Sequence, residues 1–383
     1  MKIAFLPATF LPIIGGAEIQ CHNMANELGK KNDIDIFTLN KVNFKKKNYN
    51  IKYLPKVLIN FVYLLKYYFK IDFSFLYKVY LKKLIIKKKY DVWHFHSLNY
   101  KNLLLIKVLK NLNQKIAVTF QGADIQIDKK INYGYRIQNK YNNLFLEVIP
   151  IIDIYFAISD NIVDDLKDLH INNDKIIKIP NSVDFKKIKE VKSKKFKKFT
   201  ILTVGRFAEK KKGFDLISKI SKHIIGKIDF QWIIIGRGTN KLREKKFFIK
   251  HSNFFKIIDE INNVSEPIFP SIKLIKFYKS SHVYANLARI ESFGITIIEA
   301  MASFMPVISF LTKGGRELVK NKKNGFLIKN QNYKDYGKKL ILICNKKISE
   351  QNIKTFNNKY LSKFDLKAVC LETTKFYKKI TKK

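Results

Sequence analysis

"FTILTVGRFAEKKKGFD", residues 199–215, is the stretch on which the fold turns. Phe199 to Val204 is a short apolar run rich in β-branched residues. Gly205 breaks it, Arg206 follows directly, and lysines lead into a new helical pattern, so the stretch reads as strand, turn, helix. Its position is decisive. It comes after "PNSVDFKKIKEVKSKKFKKF" (180–199), a Lys-rich segment with little apolar periodicity that reads as a domain linker. A complete βα series already lies upstream of that linker, so 199–215 opens a second one.

The upstream series has candidate strands "KIAFLP" (2–7), "DIDIFTL" (33–39), "DVWHFH" (91–96), "KIAVTF" (115–120) and "IDIYFAIS" (152–159). The downstream series continues with a helix from Lys212, then "FQWIIIG" (230–236), "VYANLA" (283–288), "PVISF" (306–310) and "GFLI" (325–328). Short apolar runs alternating with helical patterns indicate doubly wound parallel sheets. The expected class is therefore α/β, with two Rossmann-like domains facing a central cleft. Open parallel sheets bind ligands beyond their C-terminal strand ends, which puts the expected site in that cleft.

Bulk composition agrees. A chain of 383 residues suits two domains, and 46% hydrophobic residues provide a core. The formal charge is +43, but of 74 Lys+Arg only six are Arg. Readers of bases and phosphate forks use Arg for bidentate contacts, and no zinc-finger, helix-turn-helix or RNA-recognition pattern is present, so nucleic acid is not an expected partner. A Lys surplus with abundant Asn, Ile, Tyr and Phe reads either as codon bias or as attraction to an anionic membrane surface. Cys21, Cys344 and Cys370 are far apart and odd in number. They form no disulfide framework and no metal motif, which fits a reducing cytoplasm. The N-terminal "MKIAFLPATFLPIIGGAE" lacks an A-x-A cleavage site and reads as a buried strand entering a glycine loop. No apolar run approaches the ~18–20 residues needed to span a bilayer.

One segment breaks the rhythm. "KVLINFVYLLKYYFKIDFSFLYKVYLKKLIIKKKY" (56–90) mixes aromatics and lysines, with Lys66 and Lys70 interrupting the apolar density. It reads either as one or two core-packing helices or as an interfacial surface for lipid headgroups, peripheral on the inner face of the membrane.

Three motifs carry chemistry. In "IIGGAE" (13–18), Gly15 and Gly16 let the backbone approach a ligand where a helix N-terminus favours an anion; a tight turn without a ligand is the competing reading. In "VGRFAEKKKGFD" (204–215), Arg206 and Lys212 sit at the C-terminal end of a strand, a fork donor and a point charge suited to a diphosphate, with Lys210 and Lys211 competing for the second role. In "ARIESFGITIIEAMA" (288–302), Gly294 makes a turn and Ile295 and Thr296 start a helix whose free N–H groups face phosphate or sugar oxygens. Glu299, one turn in, suits a ribose diol, and Glu291 suits sugar hydroxyls; acidic stabilisation of a helix start is the alternative. His94 and His96 share a strand face, but no third ligand accompanies them, so no metal is expected.

"ESFGITIIEA" resembles the E-x7-E motif of the retaining GT-B glycosyltransferases of family 4. "GGAE", "DVWHFHS", "TFQGADI", "AISD", "IPNSVD", "VGRFAEKKKG", "IIIGRG", "MPVI", "GGRELV" and "NGFLI" follow in the family's order and approximate spacing. The resemblance implies a nucleotide-sugar donor, UDP- or GDP-linked, and a glycan or lipid-linked acceptor in cell-surface polysaccharide synthesis, with no cofactor and no metal. It implies that residues 1–185 bind acceptor, that 186–361 bind donor, and that a helix in 362–383 packs back on the first domain.

By the same resemblance Gly15 and Gly16 approach the diphosphate. Arg206 and Lys212 neutralise the leaving group. Glu291, with Phe293, Gly294, Ile295 and Thr296, holds the transferred sugar, and Glu299 holds the ribose. Gly236 and Asn181 join the donor side, while Gln121 and His96 lie on the acceptor or sugar side. Transfer would be front-face, with retention. Two positions depart from the family. Gln121 stands where "TFHG" has His, which removes an imidazole from acid–base work, and Arg237 stands where an acidic residue is frequent. The alternatives are another GT-B protein, an epimerase or phosphorylase, or a binding module that turns nothing over.

Overall fold

The computed structural model describes residues 1–42, 47–261, 269–329, 331–345 and 350–382. The chain divides into two compact units, 1–180 with 369–383, and 181–368.

Among its described residues the first unit holds seven strands: β1 (Lys2–Pro7), β2 (Asp33–Thr38), β3 (Asn50–Tyr53), β4 (Val92–His96), β5 (Ile116–Phe120), β6 (Ile154–Ala157) and β7 (Ile176–Lys178). They form one parallel sheet in the order β3-β2-β1-β4-β5-β6-β7. β1, β4 and β5 are near-continuous apolar runs because helices cover both faces of the sheet; Ile3, Phe5, Val92, Phe95, Ile116 and Val118 are fully buried. Each such side chain removed from water contributes roughly 1.5–3 kcal/mol. One of the polar residues in this core is His94. Its ring bonds to the hydroxyls of Thr119, at 2.7 Å, and Tyr377. Tyr377 lies on the C-terminal helix Leu366–Thr381, whose residues from Val369 onward belong to this unit.

Among its described residues the second unit has six strands: β8 (Phe199–Val204), β9 (Phe230–Ile235), β10 (Phe255–Ile258), β11 (Val283–Asn286), β12 (Val307–Phe310) and β13 (Gly325–Ile328). Their order is β10-β9-β8-β11-β12-β13, again all parallel. The helix Leu216–Ile224 shows how its core forms. Leu216, Ile217, Ile220 and Ile224 recur at helical spacing and are buried, while Lys219, Lys222 and His223 turn away. They pack with Trp232, Ile234 and Tyr336 in a single cluster.

Three strands escape a reading of apolar runs: β3, β7 and β10. All are edge strands of three or four residues with lysine in them, and they borrow their order from the neighbour they pair with. The stretch expected as a linker is also structured. Asp184 caps the helix Phe185–Glu190 by accepting the Lys187 N–H at 3.0 Å, and Ile188 is buried. The segment 56–90 forms helices Lys56–Leu64 and Phe75–Lys88, with a π-helical turn, Leu65–Phe69, between them. Ile59, Val62, Tyr77 and Leu81 bury inward, yet many apolar side chains remain outside. Among the described residues no helix is long and apolar enough to cross a membrane.

Candidate active site

In the second unit the chain runs outward in one direction from β8 through β9 to β10, and in the other from β11 through β12 to β13. Adjacent connections therefore diverge at the β8/β11 boundary, leaving a crevice beyond those two strand ends. Arg206 and Lys212 come from the loop after β8, Glu291 from the loop after β11. Lys212 donates to Glu291 Oε2 at 2.7 Å, with the two side chains 28% and 12% exposed. Arg206, on the same loop as Lys212, is exposed.

Lys212 does not start the long helix, as its place in the sequence suggests. It ends a single turn, Glu209–Lys212, and the helix proper begins at Leu216. The reason is Gly213, which adopts a left-handed φ of 67° and passes so close to the next loop that a Cβ would lie 2.1 Å from the Leu287 carbonyl. The two loops are also tied together. Arg289 forks onto Asp215 at 2.8 and 2.7 Å, and its own N–H donates to the Lys211 carbonyl at 2.8 Å.

Lys211 is the cation that sequence reasoning could not separate from its neighbours. Burial pushes its pKa down to about 8, and the charges of Lys212 and Arg206 add to the shift against the pull of Glu291. In a run of three lysines nothing in the sequence marks which one turns inward. Lys212 and Lys211 thus face one carboxylate, with Arg206 acting on Lys211, an arrangement suited to an anion larger than a single carboxylate.

The helix Ile295–Ala302 begins at the same crevice. Gly294 has φ 104° and ψ 65°, a conformation that strains any residue with a Cβ. The Ile297 N–H returns to the Gly294 carbonyl at 2.9 Å, so the first-turn N–H groups of Ile295 and Thr296 are the ones left over at the helix start. Phe293 is buried against Phe364, ring centroids 5.6 Å apart. From the other side Gly314 donates to the Glu291 carbonyl at 2.8 Å, and a Cβ there would sit 2.6 Å from the Phe293 carbonyl. The Glu291 loop is thereby held on both flanks.

Glu299 is buried at 4% exposure and accepts from the Tyr278 hydroxyl at 2.8 Å. Burial raises its pKa to about 7, against the pull of Tyr278 and of Lys187. Tyr278 and Lys187 lie on separate helices far away in sequence, and nothing in the sequence marks either as a partner. The shift has a consequence for stability. Between the ordinary carboxylate value and about 7 the folded chain holds a proton that the unfolded chain has released, so stability falls as pH rises through that window. The full effect is on the order of 3 kcal/mol. Glu299→Gln, which cannot titrate, is expected to flatten the fall in melting temperature between about pH 5 and 7.5. An unchanged slope would remove Glu299 as its source.

Gly236 follows β9 with φ 150°, its Cα against the Gly205 carbonyl, where a Cβ would be 1.9 Å away. The next residue, Arg237, accepts the Phe207 N–H on its carbonyl at 2.9 Å. Asn181 is buried and is the first residue of the second unit.

In the first unit the strand order diverges between β1 and β4. Gly15 stands just before the helix Gly16–Leu28 in extended conformation, and a Cβ there would meet Glu18 Oε2 at 2.5 Å. Glu18 in turn accepts from the Thr9 hydroxyl. Gln121 follows β5, its loop pinned by buried Asp124, which accepts the N–H groups of Gln121, Gly122 and Leu98 at 2.9–3.2 Å. An Asp four residues past the strand end is a loop-locking signal that the sequence does carry. His96, the last residue of β4, is buried. It stacks on Phe5 at 4.7 Å between centroids, and among the described residues neither ring nitrogen has a hydrogen-bond partner. Burial pushes its pKa down to about 3, so the imidazole is neutral. Among the described residues no cluster of three or more His, Cys, Asp or Glu has the makings of a metal site.

Comparison with known proteins bears on the family and the fold. Residues 184–360 match the family described as "Glycosyl transferases group 1", and residues 14–187 match "Glycosyltransferase Family 4". The two matches take in both units, and the chain belongs to the family 4 glycosyltransferases of GT-B fold. An uncharacterized glycosyltransferase of Haemophilus influenzae is 32% identical over 149 residues, 38% of this chain and 39% of that protein. Uncharacterized glycosyltransferase MJ1178 of Methanocaldococcus jannaschii is 24% identical over all 383 residues and 99% of its own length. An Escherichia coli UDP-Gal:alpha-D-GlcNAc-diphosphoundecaprenol alpha-1,3-galactosyltransferase is 24% identical over 302 residues, 75% of this chain and 74% of that one. Among solved structures, Anabaena Alr3699/HepE in complex with UDP-glucose covers 99% of this chain and 100% of its own, with TM-score 0.72 and 14% identity. The protein is thus a transferase of GT-B type, with relatives in polysaccharide and lipid-linked synthesis.

Proposed function

We propose that the chain moves a hexosyl group from a UDP- or GDP-linked sugar to a glycan or lipid-linked acceptor in cell-surface polysaccharide synthesis, with retention and without a metal. The second unit takes the donor and the first takes the acceptor. The observation that carries the reading is the Lys212–Glu291 pair at the β8/β11 crevice, with Arg206 and Lys211 beside it. On donor binding the diphosphate draws Arg206 and Lys212, which stabilise the charge that grows on the leaving phosphate. Glu291 and the amides at Phe293–Thr296 then orient the sugar, and Glu299 holds the ribose. Gly15, Gly16 and Asn181 complete the donor side, with Gly236 beside the base. Gln121 and buried His96 border the sugar as neutral groups. The acceptor hydroxyl enters on the face that the phosphate leaves and passes its proton to that phosphate, so no covalent enzyme intermediate is required.

The protein works in the cytoplasm, peripheral on the inner membrane face, which residues 56–90 meet. The UDP-glucose bound by the Anabaena protein supports a UDP-sugar donor, and the diphosphoundecaprenol-linked sugar for which the Escherichia coli relative is named supports a lipid-linked acceptor. The test is product analysis with UDP- and GDP-hexoses, chelator included. An anomeric coupling in the product equal to that of the donor, unaffected by chelator, is the expected result. An inverted product, or activity that needs a divalent ion, overturns the mechanism. Sugar phosphate formed from inorganic phosphate would mark a phosphorylase instead.

A further inference from the structure

A cavity of about 360 Å³ opens in the second unit, and none of Arg206, Lys212, Glu291 and Glu299 lines it. That volume is within the range of small-ligand sites. Its apolar walls include Phe185 from the helix Phe185–Glu190, Leu361 from the turn Leu361–Phe364, and Phe304. One carboxylate, Asp365, and one ammonium, Lys189, also line it, so the formal charge of the lining is balanced.

The polar atom that marks this cavity belongs to Asn357, in the helix Glu350–Tyr360. Asn357 is fully buried. Its amide N–H donates to the Met301 carbonyl at 3.0 Å, which fixes the way the amide points. The amide oxygen is left over, and among the described residues it has no hydrogen-bond partner. A buried acceptor without a donor is costly, and folded chains leave few of them.

Phe304 adds a second irregularity at the same place. It has φ 59°, a conformation usually left to glycine at a helix end, and its N–H also meets the Met301 carbonyl, at 3.0 Å. Glycine there would relieve the strain but would remove an aromatic ring from the cavity wall.

We infer that this cavity is a binding site for a small aromatic ligand with an N–H donor, its ring against Phe185 and Phe304 and its N–H on Asn357 Oδ1. Aromatic walls favour a flat ring through edge and face contacts. An aliphatic occupant would leave the Asn357 oxygen unpaired. An anion gains little, since Lys189 is exposed and offset by Asp365. Through Asn357 and Met301 the site is tied to the helix Ile295–Ala302 near its C-terminal end, away from its start at Gly294. The inference stands apart from the transferase reading and needs no nucleotide sugar.

The test is calorimetric titration of the full chain with indole, with 1-methylindole as the control that lacks the N–H. Indole is expected to bind about tenfold more tightly, the effect of one hydrogen bond to a buried acceptor. Asn357→Leu should erase that difference by weakening indole and sparing 1-methylindole, a pattern that a general loss of stability would not produce. Ala368→Trp, at an exposed position in the lining, should fill the cavity and abolish binding of both compounds without overpacking the core. Equal affinities of the wild type for the two compounds, or indole binding unchanged in Ala368→Trp, overturns the inference. So does the absence of indole binding at millimolar concentration, which would leave the Asn357 oxygen to water. Nucleotide-sugar stabilisation of the same preparation is a separate result, and failure of either leaves the other reading standing.

Discussion

Lys212→Ala is expected to lower sugar transfer by ~10²–10³-fold, chiefly in kcat, the range for losing one preorganised partner of a developing oxyanion. Lys212 sits 2.7 Å from Glu291 on a turn fixed by Gly213, so its ammonium reaches the crevice in one defined position. Charge on the leaving phosphate is greater in the transition state than in the bound donor, which is why kcat should bear more of the loss than KM. Alanine also leaves Glu291 facing the diphosphate without its cation, adding repulsion. Lys212→Arg keeps the charge but not the compact ammonium, so partial recovery is expected. A kcat within about threefold of wild type would show that leaving-group charge is handled elsewhere.

The second large effect is on stability. Trp232 is fully buried in the second unit, and its indole N–H donates to the Thr203 hydroxyl at 3.0 Å. Trp232→Ala removes most of that contact surface from the cluster formed by Ile217, Ile234 and Tyr336. A loss of ~3–5 kcal/mol is expected, against a total of roughly 5–15 kcal/mol for an ordinary domain. Thr203 still donates to the Ala285 carbonyl at 2.9 Å, so the loss is one of packing rather than of an orphaned polar group. Urea unfolding followed by far-ultraviolet dichroism should show the transition at much lower denaturant. Trp93 is then the sole tryptophan and reports on the first unit alone. A shift worth less than about 1 kcal/mol would mean that the core collapses around the missing ring.

Much of the architecture is legible in the sequence because buried parallel strands are apolar on both faces. "KIAFLP", "DVWHFH", "FTILTVG" and "FQWIIIG" announce themselves without alternation. β3, β7 and β10 do not, since a short edge strand needs no apolar run of its own. Lys212 reads as the start of a helix because the run of lysines hides Gly213, whose left-handed turn ends the first helical piece. In the site, Arg206 and Glu291 stand out by residue type and by position at strand ends. Tyr278 and Lys187, which bear on the protonation of Glu299, sit on other helices and become visible only when packing brings them in. His96 shows the opposite difficulty. The sequence places it on a strand face with His94 but does not show that stacking on Phe5 buries it.

The most direct test of the account is nucleotide-sugar binding at the β8/β11 crevice. Thermal unfolding of the wild type, Arg206→Ala and Glu299→Ala would be compared with UDP, GDP and their common hexose conjugates. A ligand at about 100 times its Kd adds about 2.7 kcal/mol of stability, readily seen as a shift. The account predicts that one nucleotide sugar stabilises the wild type and that both substitutions abolish most of the shift. Equal stabilisation of all three proteins, or none at millimolar ligand, would contradict it.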